Sequence, residues 1–316
     1  MSDRKVRALM NEVRIITDWE GPWVLNDFAY EVCSSLFSPR FFEVLSSYDD
    51  YLAYEVKKEN YNPGDTLRLV APFLVAKGVT SSWLKDVSKP DYVLDAHPAA
   101  KLFSMFEVVV ASTAYIQFLE VSCKKLGFEN YYGTEFFPEK YEMDKREKEF
   151  LLSSVEKIER LTEDKFDWLD RFFWEELQAY DVSRRIMEDI KVMGGKRKAE
   201  LAEMCSVAVG DSISDMHMLN LVRERGLSIS FNGNRFAIES ANLAVVSRSA
   251  ISTLLPVLIY AEKGVEGVRE LSGTKIDSLE ASYYWIPDLS EEEMSEVRML
   301  SESMRKKVRG DAGKLG

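Results

Sequence analysis

The stretch SVAVGDSISDMHML, Ser206 to Leu219, decides how the rest of the chain is read. Ser206 to Val209 is a short apolar run without polar alternation, the pattern of a strand covered on both faces of a parallel sheet. Gly210-Asp211 ends that strand, and an amphipathic helix follows from about Asp215 to Arg225, stopped by Gly226. The same strand-then-helix unit recurs outward from this point. Downstream, LSISF (Leu227 to Phe231) and LAVVS (Leu243 to Ser247) read as two further strands. Upstream, Gly194-Gly195 breaks the chain and Lys196 to Met204 reads as a short helix. FEVVVA (Phe106 to Ala111) is a strand ending in Ser112-Thr113, and Ala114 to Leu126 is a helix closed by Gly127. VRIIT (Val13 to Thr17) is a strand ending in the tight loop Asp18-Trp19-Glu20-Gly21-Pro22. Strands alternating with helices predict an α/β fold built on a doubly wound parallel sheet with right-handed crossovers.

The remaining segments are mostly helical in pattern. Asp27 to about Lys58 carries aromatic and aliphatic residues at spacings of three and four, until Tyr61-Asn62-Pro63-Gly64-Asp65 breaks it. Thr66 to Lys77 and Ser81 to Val87 read as helices, Glu139 to Arg160 as a solvated helix or helix pair. The aromatic run Phe166 to Trp174 fits a core or domain interface better than a base-stacking platform. The last fifty or so residues read as mixed helix and loop, with a frayed tail KKVRGDAGKLG.

Composition narrows the function classes. Hydrophobic residues are 46% and charged residues 30% of 316, which describes a folded globular chain. A net charge of -12 argues against broad attraction to nucleic acid or an anionic membrane, but not against a small anion met by a metal and a lysine. The N-terminal MSDRKVRALMNEVR has no hydrophobic signal region, and Ala250 to Ala261 is too short to span a bilayer, so a cytoplasmic protein is expected. Cys33, Cys123 and Cys205 lack any paired metal spacing and read as buried free thiols. Two glutamines among many Glu, Lys and Arg fit a thermophile's habits.

Three of the strands end in groups that can do chemistry: Asp18, Ser112-Thr113 and Gly210-Asp211. Ligands of open parallel sheets bind outside the carboxyl ends of the strands, so these groups converge on one edge. Paired carboxylates there suit a hard cation with oxygen ligands, and Mg²⁺ fits better than a soft metal. Lys196, opening the helix before the third motif strand, can reach the same edge. Two acids, a hydroxyl and a lysine supply what phosphoryl transfer needs. The competing readings are turn or helix-cap duty for the two aspartates, and for Ser112 and Thr113. Lys198 competes with Lys196, because KAELAEM also fits a lysine opening an amphipathic helix. Trp19 and Trp23 read as core, His217 as packing or surface, His97 as a loop residue, and Asn232-Gly233-Asn234 as a turn.

Taken together, these segments resemble the haloacid dehalogenase (HAD) superfamily of hydrolases, in its phosphoserine-phosphatase-like branch. IITDWEGPW (Ile15 to Trp23) resembles the first motif, VVVAST (Val108 to Thr113) the second, GGKRKAEL (Gly194 to Leu201) the third, and VAVGDSISDMHML the fourth. The resemblance implies that Asp18 attacks phosphorus to form an aspartyl-phosphate and shares Mg²⁺ with Asp211. It implies that Asp215 holds the metal's waters or orients Lys196, and that Ser112, with Thr113 as the adjacent alternative, donates to a phosphoryl oxygen. Glu20 stands where the family commonly has Asp as general acid and base, with the backbone carbonyl of this position on the metal. Its carboxyl chemistry is similar, but the extra methylene displaces it by roughly one bond, which positioning makes costly.

The expected organisation is a HAD-like core from residues 1–25 and 100–260, with a helical cap from 26–99. A further helical insertion spans 128–193, and a C-terminal helical extension and tail spans 261–316. The expected function is Mg²⁺-dependent hydrolysis of a small phosphorylated metabolite. The alternatives are a phosphotransferase of the same fold and a HAD-fold binding protein with little turnover.

Overall fold

The structure is a computed structural model that describes residues 10, 12–162, 166–310 and 313. The ends of MSDRKVRALMNEVR and of the C-terminal tail therefore lie largely outside the described residues. Eight strands form one sheet in the order β3-β2-β1-β4-β5-β6-β8-β7. They are β1 (Arg14–Thr17), β2 (Glu107–Tyr115), β3 (Tyr131–Thr134), β4 (Val207–Gly210), β5 (Leu227–Phe231), β6 (Leu243–Val246), β7 (Lys275–Ile276) and β8 (Ala281–Trp285). The first six in that order are parallel, and β8 and β7 close the edge antiparallel. The doubly wound reading holds, and the order reverses between β1 and β4, where such sheets open a crevice.

Successive residues of the central strands enter different cores, as a sheet covered on both faces requires. Ile15, Val207 and Val209 belong to the large apolar core, whereas Ile16 and Ala208 pack with Met218, Leu219 and Val222. β4 and β5 are buried at every position, which is why their sequences show no polar alternation.

Between β1 and β2 lie α1 (Phe28–Leu36), α2 (Pro39–Asp50), α3 (Thr66–Ala76), α4 (Ser81–Val87) and α5 (Ala96–Phe103). The helical pattern from Asp27 divides at Ser38-Pro39: Ser38 accepts from the Phe41 N–H, and Pro39 opens the new helix, where its missing N–H costs nothing. After β2 comes α6 (Ile116–Leu126), capped by Gly127 at φ 83° as expected. Then α7 (Lys145–Glu159), α8 (Asp167–Arg171) and α9 (Asp181–Asp189) lead to α10 (Lys196–Ala202). Helices α2 and α3 pack on α7, and α3 also on α9. The aromatic run serves that contact: Phe172 and Phe173 are fully buried and meet Phe73, and Asp170 accepts from the Tyr48 hydroxyl at 2.5 Å.

Past β4 run α11 (Met216–Arg223), α12 (Arg235–Ser240), α13 (Leu254–Arg269, kinked at Gly264) and α14 (Glu291–Arg309). The segment from residue 261 was expected to be helix and tail, yet it also contributes β7 and β8. Ala281, Tyr283 and Trp285 alternate with less buried neighbours, so one face of β8 packs inward. Helix α14 continues through Arg309 within the tail expected to fray. Among the described residues, no helix is long and apolar enough to cross a membrane.

Candidate active site

Asp18 sits one residue past β1, at the crevice between β1 and β4, and its N–H donates to the Val209 carbonyl at 2.8 Å. Its side chain is 5% exposed. Oδ1 accepts from the Trp19 N–H at 2.7 Å and pairs with Lys198 Nζ at 3.0 Å. Oδ2 has no protein donor among the described residues. Burial holds this carboxyl well above the usual range, Asp215 adds to the rise, and Lys198 opposes it. The two tryptophans of the loop are core residues, as read: Trp19 donates to Ser122 Oγ at 2.8 Å, and Trp23 to Thr17 Oγ1 at 3.0 Å.

The lysine that the fold brings to Asp18 is Lys198, the alternative to Lys196. Lys196 is exposed, whereas Lys198 is fully buried and lies 2.6 Å from Asp215 Oδ1. Burial alone would push the ammonium toward neutrality, but Asp18 and Asp215 outweigh it and raise its pKa. Asp215 is fully engaged: Oδ2 accepts the N–H groups of Asp211 and Ser212, each at 3.0 Å, while Oδ1 holds Lys198. It therefore shapes the Gly210-to-Asp215 turn and fixes the lysine. Gly210 is required there, because a Cβ would lie 2.6 Å from that of Asp215.

Asp211 faces Asp18 across the crevice. Its Oδ2 accepts from two arginines of α14, Arg305 and Arg309, the latter at 3.0 Å. Its backbone carbonyl accepts from Arg305 Nη1 at 3.0 Å and from the Asn234 N–H at 2.9 Å. The Asn232-Gly233-Asn234 turn thus braces Asp211. Gly21 approaches the same carboxylate at φ 107°, and a Cβ on it would collide with Oδ2.

A cavity opens at this edge, lined by Asp18, Glu20, Asp211 and Thr113 among others, together with Phe42, Ser46, Asp49 and Asp50 of α2. Ser112 is fully buried and is not among the lining residues; its Oγ accepts from the Ala114 N–H at 3.2 Å. The hydroxyl residue at the cavity is therefore Thr113, the alternative. Glu20 Oε1 accepts the Phe28 N–H at the start of α1, 2.7 Å away. Burial raises its carboxyl well above the usual range, and the neighbouring Asp27 adds to the rise. The Glu20 side chain is not part of the metal-competent cluster. That cluster is Asp18, Asp211 and Asp215, whose carboxylate oxygens can lie within 4.8 Å of one another.

This donor set fits a divalent cation. Three carboxylates, Asp18, Asp211 and Asp215, converge within reach of one ion. They offer hard oxygen donors, which suits Mg²⁺. Arg305, Arg309, Asp27, Asp49 and Asp50 were not anticipated. His217 is half-buried, with its Nδ1 beside Gly195, and His97 lies on α5 against Tyr92; neither is among the residues lining the cavity.

Comparison with known proteins agrees with this architecture. No protein-family model matches the chain, and no curated protein matches it. A solved structure described as a phospho-aspartyl intermediate analogue of phosphoserine phosphatase superposes with a TM-score of 0.50 at 16% identity, covering 78% of this chain and 98% of that one. The chain thus shares the fold of that structure, a Rossmann-like α/β sheet with helices inserted after its first strand. The chain belongs to the same family as gene product AF1437 from Archaeoglobus fulgidus. It is 34% identical to that protein, with a TM-score of 0.87, over 96% of this chain and 99% of that one.

Proposed function

We propose that the protein is a Mg²⁺-dependent phosphohydrolase that cleaves a small phosphomonoester through a phosphorylated Asp18. One observation carries this reading: a buried carboxylate at the crevice has one oxygen held by Lys198 and a backbone N–H, and the other left without a protein donor. Holding Oδ1 fixes the direction of Oδ2, which is the orientation an in-line attack on phosphorus needs.

Attack by Asp18 Oδ2 forms the aspartyl oxygen–phosphorus bond as the ester oxygen leaves. Glu20 gives that oxygen its proton; burial raises its pKa, which favours the protonated form an acid needs. A water then attacks phosphorus, Glu20 takes back a proton, and the bond to Asp18 breaks to release phosphate. Lys198 offsets charge on the nucleophile, and Asp215 keeps the lysine in place. Thr113 donates to a phosphoryl oxygen from the cavity wall. Asp18 and Asp211, with Asp215 behind them, would hold Mg²⁺, whose chemistry is to neutralise the charge on the phosphoryl oxygens.

Residues 26–99 act as the cap, since α2 helps line the cavity that Asp18 opens into. Residues 128–193 support the cap through α7 and α9. The test is p-nitrophenyl phosphate hydrolysis with and without Mg²⁺, on wild type and Asp18→Asn. Metal-dependent turnover lost in the variant supports the reading, and equal turnover by the two proteins removes Asp18 from it.

A further inference from the structure

We propose that Arg305 and Arg309 are substrate-binding residues, through which the C-terminal helix α14 supplies the cationic anchor for the phosphoryl group. The inference rests on the phosphohydrolase reading and extends it to a segment that reading does not use.

The cavity is lined by six carboxylates: Asp18, Glu20, Asp27, Asp49, Asp50 and Asp211. Among the described residues lining it, Arg305 and Arg309 are the only cationic side chains, and Lys198 is fully buried beside Asp18. A phosphoryl dianion entering so acidic a cavity needs cations to meet it, and beside the proposed metal the cavity wall offers these two guanidinium groups. Their spacing of four residues puts both on one face of α14, and both reach the same oxygen of Asp211. Each side chain is only 5% exposed, so these are not solvated surface arginines.

Arg309 keeps donors to spare. Its Nε donates to the Leu25 carbonyl, Nη2 to the Asn26 carbonyl and Nη1 to Asp211, so two of its five N–H bonds lack a protein acceptor among the described residues. A guanidinium held by two loop carbonyls is already oriented, and its planar fork suits a phosphate where a point charge does not. The helix presenting it is braced: Ser301 donates to the Gly233 carbonyl at 2.7 Å, Val297 is buried, and Ser290 and Glu293 form a capping box.

The test is calorimetric titration of the full chain with inorganic phosphate in saturating Mg²⁺. It compares wild type, Arg309→Gln, Arg309→Lys, Arg305→Lys and the exposed control Lys306→Gln. Arg309→Gln should weaken phosphate binding on the order of 10- to 100-fold, the scale of a lost charged hydrogen bond. Arg309→Lys and Arg305→Lys should each weaken it several-fold, because charge remains but the fork is lost, and Lys306→Gln should match wild type. Lysine variants that bind as tightly as wild type would overturn the proposal, leaving only a long-range charge effect. They also decide the matter if Arg309→Gln fails to fold by circular dichroism. Wild type that binds no phosphate would sink the phosphohydrolase reading and the anchor with it. Wild type that binds, with unchanged arginine variants, would sink the anchor alone.

Discussion

Replacing Lys198 by methionine keeps most of the side chain's length and removes its charge from between Asp18 at 3.0 Å and Asp215 at 2.6 Å. At an effective dielectric of about 20, each contact is worth about 6 kcal/mol before any desolvation cost is counted. Dehydrating a fully buried ammonium offsets much of that sum. Breaking one partner out of a buried ion pair then costs a net ~3–5 kcal/mol, since the remaining charges are stranded. Two aspartates left facing each other would also hold a proton more tightly, taking Asp18 out of its nucleophilic form. Urea unfolding should therefore register the full loss for Lys198→Met in metal-free buffer. Turnover of p-nitrophenyl phosphate should fall about 10²- to 10³-fold or more, the scale of losing one preorganised electrostatic group. Lys196→Met is the control: exposed, two residues away, and expected within ~0.5 kcal/mol and twofold of wild type. Equal stability and turnover for the two variants would refute the reasoning.

Stability should fall as pH rises. Burial pushes the Asp49 carboxyl up to about 8 and that of Asp50 to about 6, and Asp18, Glu20 and Asp27 shift in the same sense. The unfolded chain releases these protons near pH 4 while the fold still holds them, so the folded state binds more protons between about pH 4 and 8. Melting in EDTA should be higher at pH 5 than at pH 8, and a flat or rising profile would contradict this. Mg²⁺ at about 100 times its Kd should add about 2.7 kcal/mol to wild type and little to Asp211→Asn, read by urea unfolding. Absence of any Mg²⁺ effect on wild type would remove the metal centre. Gly21→Ala should cost more than the ~1–3 kcal/mol of backbone strain alone, because its Cβ meets Asp211. Gly78→Ala, also at positive φ but with open space around it, measures the strain by itself, and equal losses would refute the collision.

The central strands were legible because both faces are buried, which leaves uninterrupted apolar runs ending in Asp18, Ser112-Thr113 and Asp211. What stayed ambiguous was side-chain direction. Residues two apart on a helix point about 200° apart, so only one of Lys196 and Lys198 can face the crevice, and the helix's rotation is set by tertiary packing. Neighbours on a strand likewise point to opposite faces, which separates Thr113 from Ser112. The alternation that marks β8 is blurred in ASYYW, because Tyr284 on the half-buried face is as aromatic as buried Tyr283 and Trp285. Arg305 and Arg309 sit in ESMRKKVR, where charge on every side suggests a solvated helix. Their role depends on contacts with Asp211, 94 and 98 residues earlier, which no local pattern reports.

The most direct test of the account is chemical trapping of the phosphorylated carboxylate. Borohydride added during steady turnover reduces an acyl phosphate to an alcohol, converting an aspartyl-phosphate to homoserine. Peptide mass spectrometry should then find homoserine at position 18, only with Mg²⁺ and substrate present. Steady turnover with Asp18 unmodified, or homoserine at another aspartate, would contradict the central claim.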